Sequence, residues 1–178
     1  MRNKSGFTLV ELLIVIGLIT TIAAIAIPNI ISWLPGYRLR AAANDLYSNF
    51  QFAKIGAVKH NNNWAVVFNT GSNSYSILSD YGGSNQVEKT VNLSDYKSGV
   101  GFGSGNATKN VPVPGSASPF DIVSYTFPND IAIFNPRSTV GNLGYVYLAN
   151  DAGSTWAAGT PTVAGSIVLR RWLGSSWQ

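Results

Sequence analysis

Few side chains in this chain are placed to do chemistry, and the one that stands out is an acid in oil. Glu11 sits near the start of residues 7–27, a 21-residue run with no other charge. Elsewhere the reactive residues are scattered. His60 is the sole histidine; its expected place is a solvated helix end, with Asp45 or a serine nearby only by accident of fold. Asp80, Asp95, Asp121, Asp130 and Asp151 mostly adjoin turn residues, where a short carboxylate bonds its own backbone. A calcium site among them is the weaker reading. No group has metal-ligand spacing. With no Cys, disulfides and thiol chemistry are excluded. The glycine-rich stretch 99–105 lacks the Lys-Ser/Thr and the following helix of a phosphate loop, and reads as a flexible loop. The expectation is a chain with no catalytic residues, no metal and no cofactor.

Near the end, Arg170, Arg171 and Trp172 stand together, with Trp177 beyond. Cations beside aromatics can grip nucleic acid through phosphates and stacking. The plainer reading is preferred: a closing strand with one arginine solvated and one paired, and Trp172 covering the sheet. The charge balance adds nothing to the first reading. Twelve Lys/Arg, two of them Arg2 and Lys4, face eight Asp/Glu. Without those two the side-chain charge is about +2, too small to imply a polyanion partner.

The acid in oil then has to be explained. Residues 7–27 match the ~20 residues that cross a hydrocarbon core. Twelve Leu, Ile and Val lie between Leu9 and Ile27, and together they favour insertion by on the order of 5 kcal/mol. Glu11 takes back up to ~3 kcal/mol, less near the interface, so insertion still wins. Three readings compete. The first is a plain anchor with Glu11 near the headgroups, at the positive end of the helix dipole. The second is a removable secretory signal cut after Ala24-Ile25-Ala26, although its apolar run is long and contains an acid. The third is a cut before the apolar run, between Gly6 and Phe7.

The stretch Lys4-Ser5-Gly6-Phe7-Thr8-Leu9-Val10-Glu11-Leu12-Leu13-Ile14-Val15 closely resembles the cleavage and methylation signature of type IV prepilins and pseudopilins. The resemblance implies cleavage after Gly6 by a prepilin peptidase, N-methylation of Phe7 and assembly into a filament through the apolar segment. The partners it implies are other pilins or pseudopilins, the peptidase, an inner-membrane assembly platform and, before assembly, membrane lipid. It places the leader in the cytoplasm of a bacterium, a single span in the inner membrane and the rest in the periplasm. Electrostatics agrees. A cut after Gly6 creates a cation at Phe7, and in a staggered bundle that amine can neutralise Glu11 of a neighbour. A paired buried carboxylate is tolerable where an isolated one is costly. Glu11 would then reward correct axial register.

These residues need elements to position them. Pro28 is expected to kink or loosen the first helix, and Leu34-Pro35-Gly36 to interrupt it. Leu39, Ala43, Leu46, Phe50, Ala53 and Ala57 then recur at 4-3-4-3-4 spacing, which predicts an amphipathic helix over 37–60. Asn61-Asn62-Asn63 should end it. Strands are expected at 64–69, 75–78, 86–93, 121–127, 131–134, 143–149 and 163–173, with loops at 94–119 and 150–162 and a short strand near 100–102. The division is a leader at 1–6, an apolar filament-core helix at 7–36 and a globular domain at 37–178, whose strands fill 64–178. Charged residues are only 11% of the chain, well under the ~25% of ordinary domains, which suits a loop-rich β protein outside the cytoplasm or among copies of itself. The fold class is α+β, a long helix packed on antiparallel sheet. Helix first and strands after resembles the GspH/FimT subgroup of minor pseudopilins and minor pilins. That likeness extends to Phe134-Asn135-Pro136-Arg137, Gly144-Tyr145-Val146-Tyr147-Leu148 and the basic closing strand. The alternative function is a tethered or secreted β domain that binds carbohydrate or DNA.

Overall fold

A computed structural model describes residues 7–112 and 127–178. It divides into two compact units, Met1–Leu34 and Pro35–Gln178. Helix α1, Leu9–His60, supplies the described regular structure of the first unit and the opening of the second. In the first unit its apolar side chains are bare: Leu9, Ile14, Ile25 and Ile31 are all exposed. That is how a helix looks when its solvent is lipid or other helices.

The expected breaks do not end the helix. The α-helical assignment passes over Pro28 and over Pro35-Gly36. A proline removes one intrahelical donor but leaves its own carbonyl free to accept. At Pro35 that carbonyl is taken by the Asn150 amide at 3.0 Å. One turn on, Arg38 donates to Ser98 Oγ at 2.7 Å and Leu39 is fully buried. Tertiary contacts hold the turn that local propensity would break. The helix stops where Asn61 takes a positive φ of 51°, a conformation asparagine tolerates better than most residues.

Within the second unit, eight described strands form two antiparallel sheets. The first sheet runs β3 (Gln86–Asn92), β2 (Ser74–Ser79), β1 (Trp64–Asn69), β5 (Ile131–Phe134). The second runs β4 (Gly101–Phe102), β6 (Gly144–Ala149), β7 (Thr155–Thr160), β8 (Val168–Arg171). All six stripe residues of α1 are buried, and Ala42, Asn49 and Gly56 widen the stripe. Phe50 is its centre: its ring lies 6.1 Å from Phe68, 6.1 Å from Phe127 and 5.8 Å from Phe134. Such edge and tilted contacts suit the aromatic quadrupole. The second sheet is covered on both faces. Val146, Leu148 and Ala158 join the main core, while Tyr145, Tyr147 and Ala157 form a second cluster with Val111.

Two strand expectations need correction. Residues 150–162 are not all loop, because β7 occupies Thr155–Thr160. Its small residues carry little β propensity, but pairing with β6 on one side and β8 on the other makes it a central strand. The run 163–173 contributes only Val168–Arg171. Of the strand expected at 121–127, only Phe127 is among the described residues, and it is buried.

Candidate functional site

At the start of α1 the backbone needs partners for its first amides, and the side chains of Thr8 and Glu11 provide them. Glu11 N–H donates to Thr8 Oγ1 at 3.2 Å. In return Glu11 Oε2 accepts from Thr8 N–H and from Thr8 Oγ1, both at 3.3 Å. This is a reciprocal capping box, the Thr-x-x-Glu form. The Thr-x-x-Glu spacing is plain in Thr8-Leu9-Val10-Glu11, and it makes Thr8 the local partner of an acid that is isolated from every other charge in the run. Phe7, the residue before the cap, is exposed. Gly6 lies outside the described residues.

The carboxylate also marks one edge of an apolar span. No Asp, Glu, Lys or Arg occurs from residue 12 to residue 37. Glu11 and Trp33 are 22 residues apart, about 33 Å of helix at 1.5 Å per residue. That closely matches the ~30 Å hydrocarbon core, with an acid at one border and an interface-seeking tryptophan at the other. Inside the span Thr20 and Thr21 donate their hydroxyls back to the carbonyls of Ile16 and Gly17 at 2.7 and 2.8 Å. No hydroxyl there is left facing lipid unpaired, as a bilayer demands.

The second group of sequence-selected residues is arranged differently from expectation. Arg170 and Arg171 are both exposed, and neither bonds another described side chain. The expected pairing of one of the two arginines is not seen among the described residues. On the outer side of Arg171 its backbone exchanges two bonds with Gln178, at 2.6 and 3.0 Å, so the chain end folds back along β8. Trp172 is only 7% exposed. Its ring lies 5.3 Å from that of Trp177, whose indole donates to the Lys109 carbonyl at 2.7 Å. The aromatic half of the supposed nucleic-acid grip is thus committed to packing.

His60 is exposed at the helix end and stacks on Trp64, ring centroids 5.7 Å apart. Asp45 accepts from the Tyr96 hydroxyl. Among the described residues, no three His, Cys, Asp or Glu gather as metal ligands would. Buried polar groups serve the core instead: Asn49 donates to Tyr75 Oη at 2.7 Å and accepts from Lys89 Nζ at 3.0 Å. Burial holds the Tyr75 phenol well above its ordinary range.

Comparison with known proteins falls mainly on the same N-terminal segment. Residues 1–27 match the prokaryotic N-terminal methylation motif. The chain is 51% identical over 45 residues to the type IV wide pilus major component PilA4 of Thermus thermophilus. That stretch is 25% of this chain and 30% of the relative, so less than a third of the relative's length is spanned. Among solved structures, the minor pseudopilin EpsH from the type 2 secretion system of Vibrio cholerae aligns with a TM-score of 0.48 and 10% identity. The alignment covers 74% of this chain and 95% of EpsH. The type IV minor pilin FimU of Pseudomonas aeruginosa aligns with a TM-score of 0.41 and 16% identity, covering 78% of this chain and 96% of FimU. In its matched motif and its apolar helix, the chain's N-terminal segment is similar to that of type IV pilins.

Proposed function

We propose that this chain is a minor pilin or pseudopilin, a non-enzymatic structural subunit of a type IV pilus or a type II secretion pseudopilus. A prepilin peptidase cuts after Gly6 and the new amine of Phe7 is methylated. The subunit waits in the bacterial inner membrane with its globular unit in the periplasm. An inner-membrane assembly platform then moves it into the filament, where Glu11 meets the Phe7 amine of a neighbouring subunit. The observation that carries this reading is one juxtaposition. A Gly6-Phe7 junction is followed within four residues by a carboxylate bonded into the helix start, and that carboxylate opens an exposed stretch of helix with no other charge through residue 37.

The test is co-expression with a prepilin peptidase and intact-mass measurement of the product. The expected product lacks residues 1–6 and carries one added methyl on Phe7. Cleavage after Ala26 would instead identify a secreted β domain, and an unprocessed chain would identify a plain tether.

A further inference from the structure

The counting of basic residues around the span leaves a puzzle. Arg2 and Lys4 precede it, and Arg38 and Arg40 follow it, so the usual charge asymmetry across a membrane is missing. Arg38 is engaged with Ser98. Arg40 is exposed and bonds no other described residue. It lines a cavity of about 290 Å³ with Tyr37, Ala41 and Asn44. A second cavity of about 390 Å³ shares Asn44 and continues between Tyr47 and the β8 residues up to Arg170. Each is close to or within the size range of small-ligand sites. No acidic residue lines either one. The nearest acid in sequence, Asp45, is held by Tyr96. The two hollows meet at Asn44 and together make a shallow groove beside α1, with Arg40 lining one and Arg170 the other.

We propose that this groove binds the headgroup of an anionic phospholipid of the phosphatidylglycerol class, with its phosphate on Arg40 and its glycerol hydroxyls over Asn44 toward Arg170. Covalent reach argues for lipid over other anions. Tyr37 is three residues beyond Leu34, so its Cα lies within roughly 11 Å of the last residue of the apolar unit. A groove that starts at Tyr37 is therefore within covalent reach of the headgroup zone, where tyrosine and arginine settle. Two arginines spaced along a groove, with a hydroxyl-binding amide between, suit one phosphate and its polyol. A nucleic acid or acidic peptide would call for a longer row of cations. The inference rests on the membrane-anchor reading, and it gives the unmatched Arg40 a use: it registers the globular unit against the leaflet before assembly.

The full-length chain in neutral detergent is titrated with dioctanoyl phosphatidylglycerol, dioctanoyl phosphatidylcholine and inorganic phosphate, and bound ligand is read by native mass spectrometry. Phosphatidylglycerol should be retained in preference to phosphatidylcholine. Arg40→Gln and Arg170→Gln should each weaken it about fivefold, the effect of one cation at a charged surface. Arg137→Gln, an exposed arginine outside the groove with the same change in net charge, should leave binding unchanged. Ala41→Trp fills the smaller cavity without altering charge and should abolish the preference. Equal retention of the two lipids overturns the proposal, as does an equal loss in Arg137→Gln. So does inorganic phosphate competing as well as the lipid, or a hexaglutamate peptide or oligonucleotide displacing it more effectively than a second anionic lipid. Flotation with phosphatidylcholine vesicles separates the two levels of the argument. A chain that floats but shows no headgroup preference refutes the groove alone, whereas a chain that fails to float refutes the anchor and the groove together.

Discussion

Replacing Glu11 by glutamine removes a charge while keeping a side chain that can close the capping box, since Gln serves at that position as Glu does. Replacing it by leucine removes both. The two variants therefore separate the acid's roles. For Glu11→Leu, insertion gains up to ~3 kcal/mol from the lost charge, while the helix start keeps its Thr8 cap and loses only the reciprocal bonds to the carboxylate, at most about 1 kcal/mol. The net effect is firmer insertion by about 2 kcal/mol. For Glu11→Gln the helix start survives, because the bonds at 3.3 Å from Thr8 need only an oxygen acceptor. What disappears is the pairing with the neighbour's amine. A unit pair at 4 Å is worth about 4 kcal/mol at an effective dielectric of 20. If desolvation offsets half of that, about 2 kcal/mol remains, or roughly thirtyfold in occupancy of the correct register.

The assay is the ratio of subunit in sheared filaments to subunit in membranes, in cells with the complete assembly machinery. Intact mass is measured alongside to show that residues 1–6 have been removed. Glu11→Gln should be cut and inserted normally yet fall about thirtyfold in the filament fraction. Glu11→Leu should fall as far and also resist extraction from the membrane. Wild-type incorporation of a correctly processed Glu11→Gln chain would refute the pairing argument outright.

Other consequences follow from packing and titration. A Cβ added at Gly159 would lie 2.1 Å from the Gly144 carbonyl oxygen and 2.6 Å from the Tyr145 ring. Gly159→Ala should therefore destabilise the fold by about 3 kcal/mol in urea titrations, whereas Gly36→Ala, in helix with nothing within 4 Å, should gain up to about 1 kcal/mol. Burial pushes the Tyr147 phenol up from 10.0 to about 12, so the stability it contributes is complete below pH 10 and is lost as pH rises from 10 to 12, at about 1.4 kcal/mol per pH unit. Urea midpoints measured across that window should fall less steeply in Tyr147→Phe than in wild type. DNA should show no salt-dependent retention by the chain, and Arg170→Ala with Arg171→Ala should change nothing in a low-salt filter assay, because Trp172 is packed away from any base.

The parts of this molecule legible from sequence are those written as period. Leu39, Ala43, Leu46, Phe50, Ala53 and Ala57 reach the core because a 3.6-residue repeat commits one helix face regardless of what covers it. β1, β2 and β6 were legible through β-branched and aromatic residues between turn signals. β7 was hidden because its identity comes from neighbours: Gly159 is required by the close approach of Gly144, and a residue chosen for clearance looks like a loop residue when met alone. Pro35-Gly36 misled for a related reason, since the Asn150 amide that accommodates it is 115 residues away. At the candidate site the acid and the junction before it were plain. The burial of Trp172 was not, because its partner Trp177 meets it only once the chain end has folded back along β8.

The capping box changes how the lone acid should be understood. An ionised carboxylate offers about four acceptor positions on two oxygens. Both donors of Thr8 converge on Oε2, and Oε1 has no donor among the described residues. Before assembly, then, the carboxylate is already half satisfied by its own helix start, which lowers the cost of keeping it at a membrane border without neutralising it. After assembly an amine from a neighbour can approach Oε1 while the box stays closed. Under the proposed pairing, register selection and helix integrity would use different oxygens of one side chain, so neither would be sacrificed to the other. An aspartate, one methylene shorter, would have to choose between them, and an alanine at position 8 would leave Oε2 with only the backbone N–H of that residue as a donor.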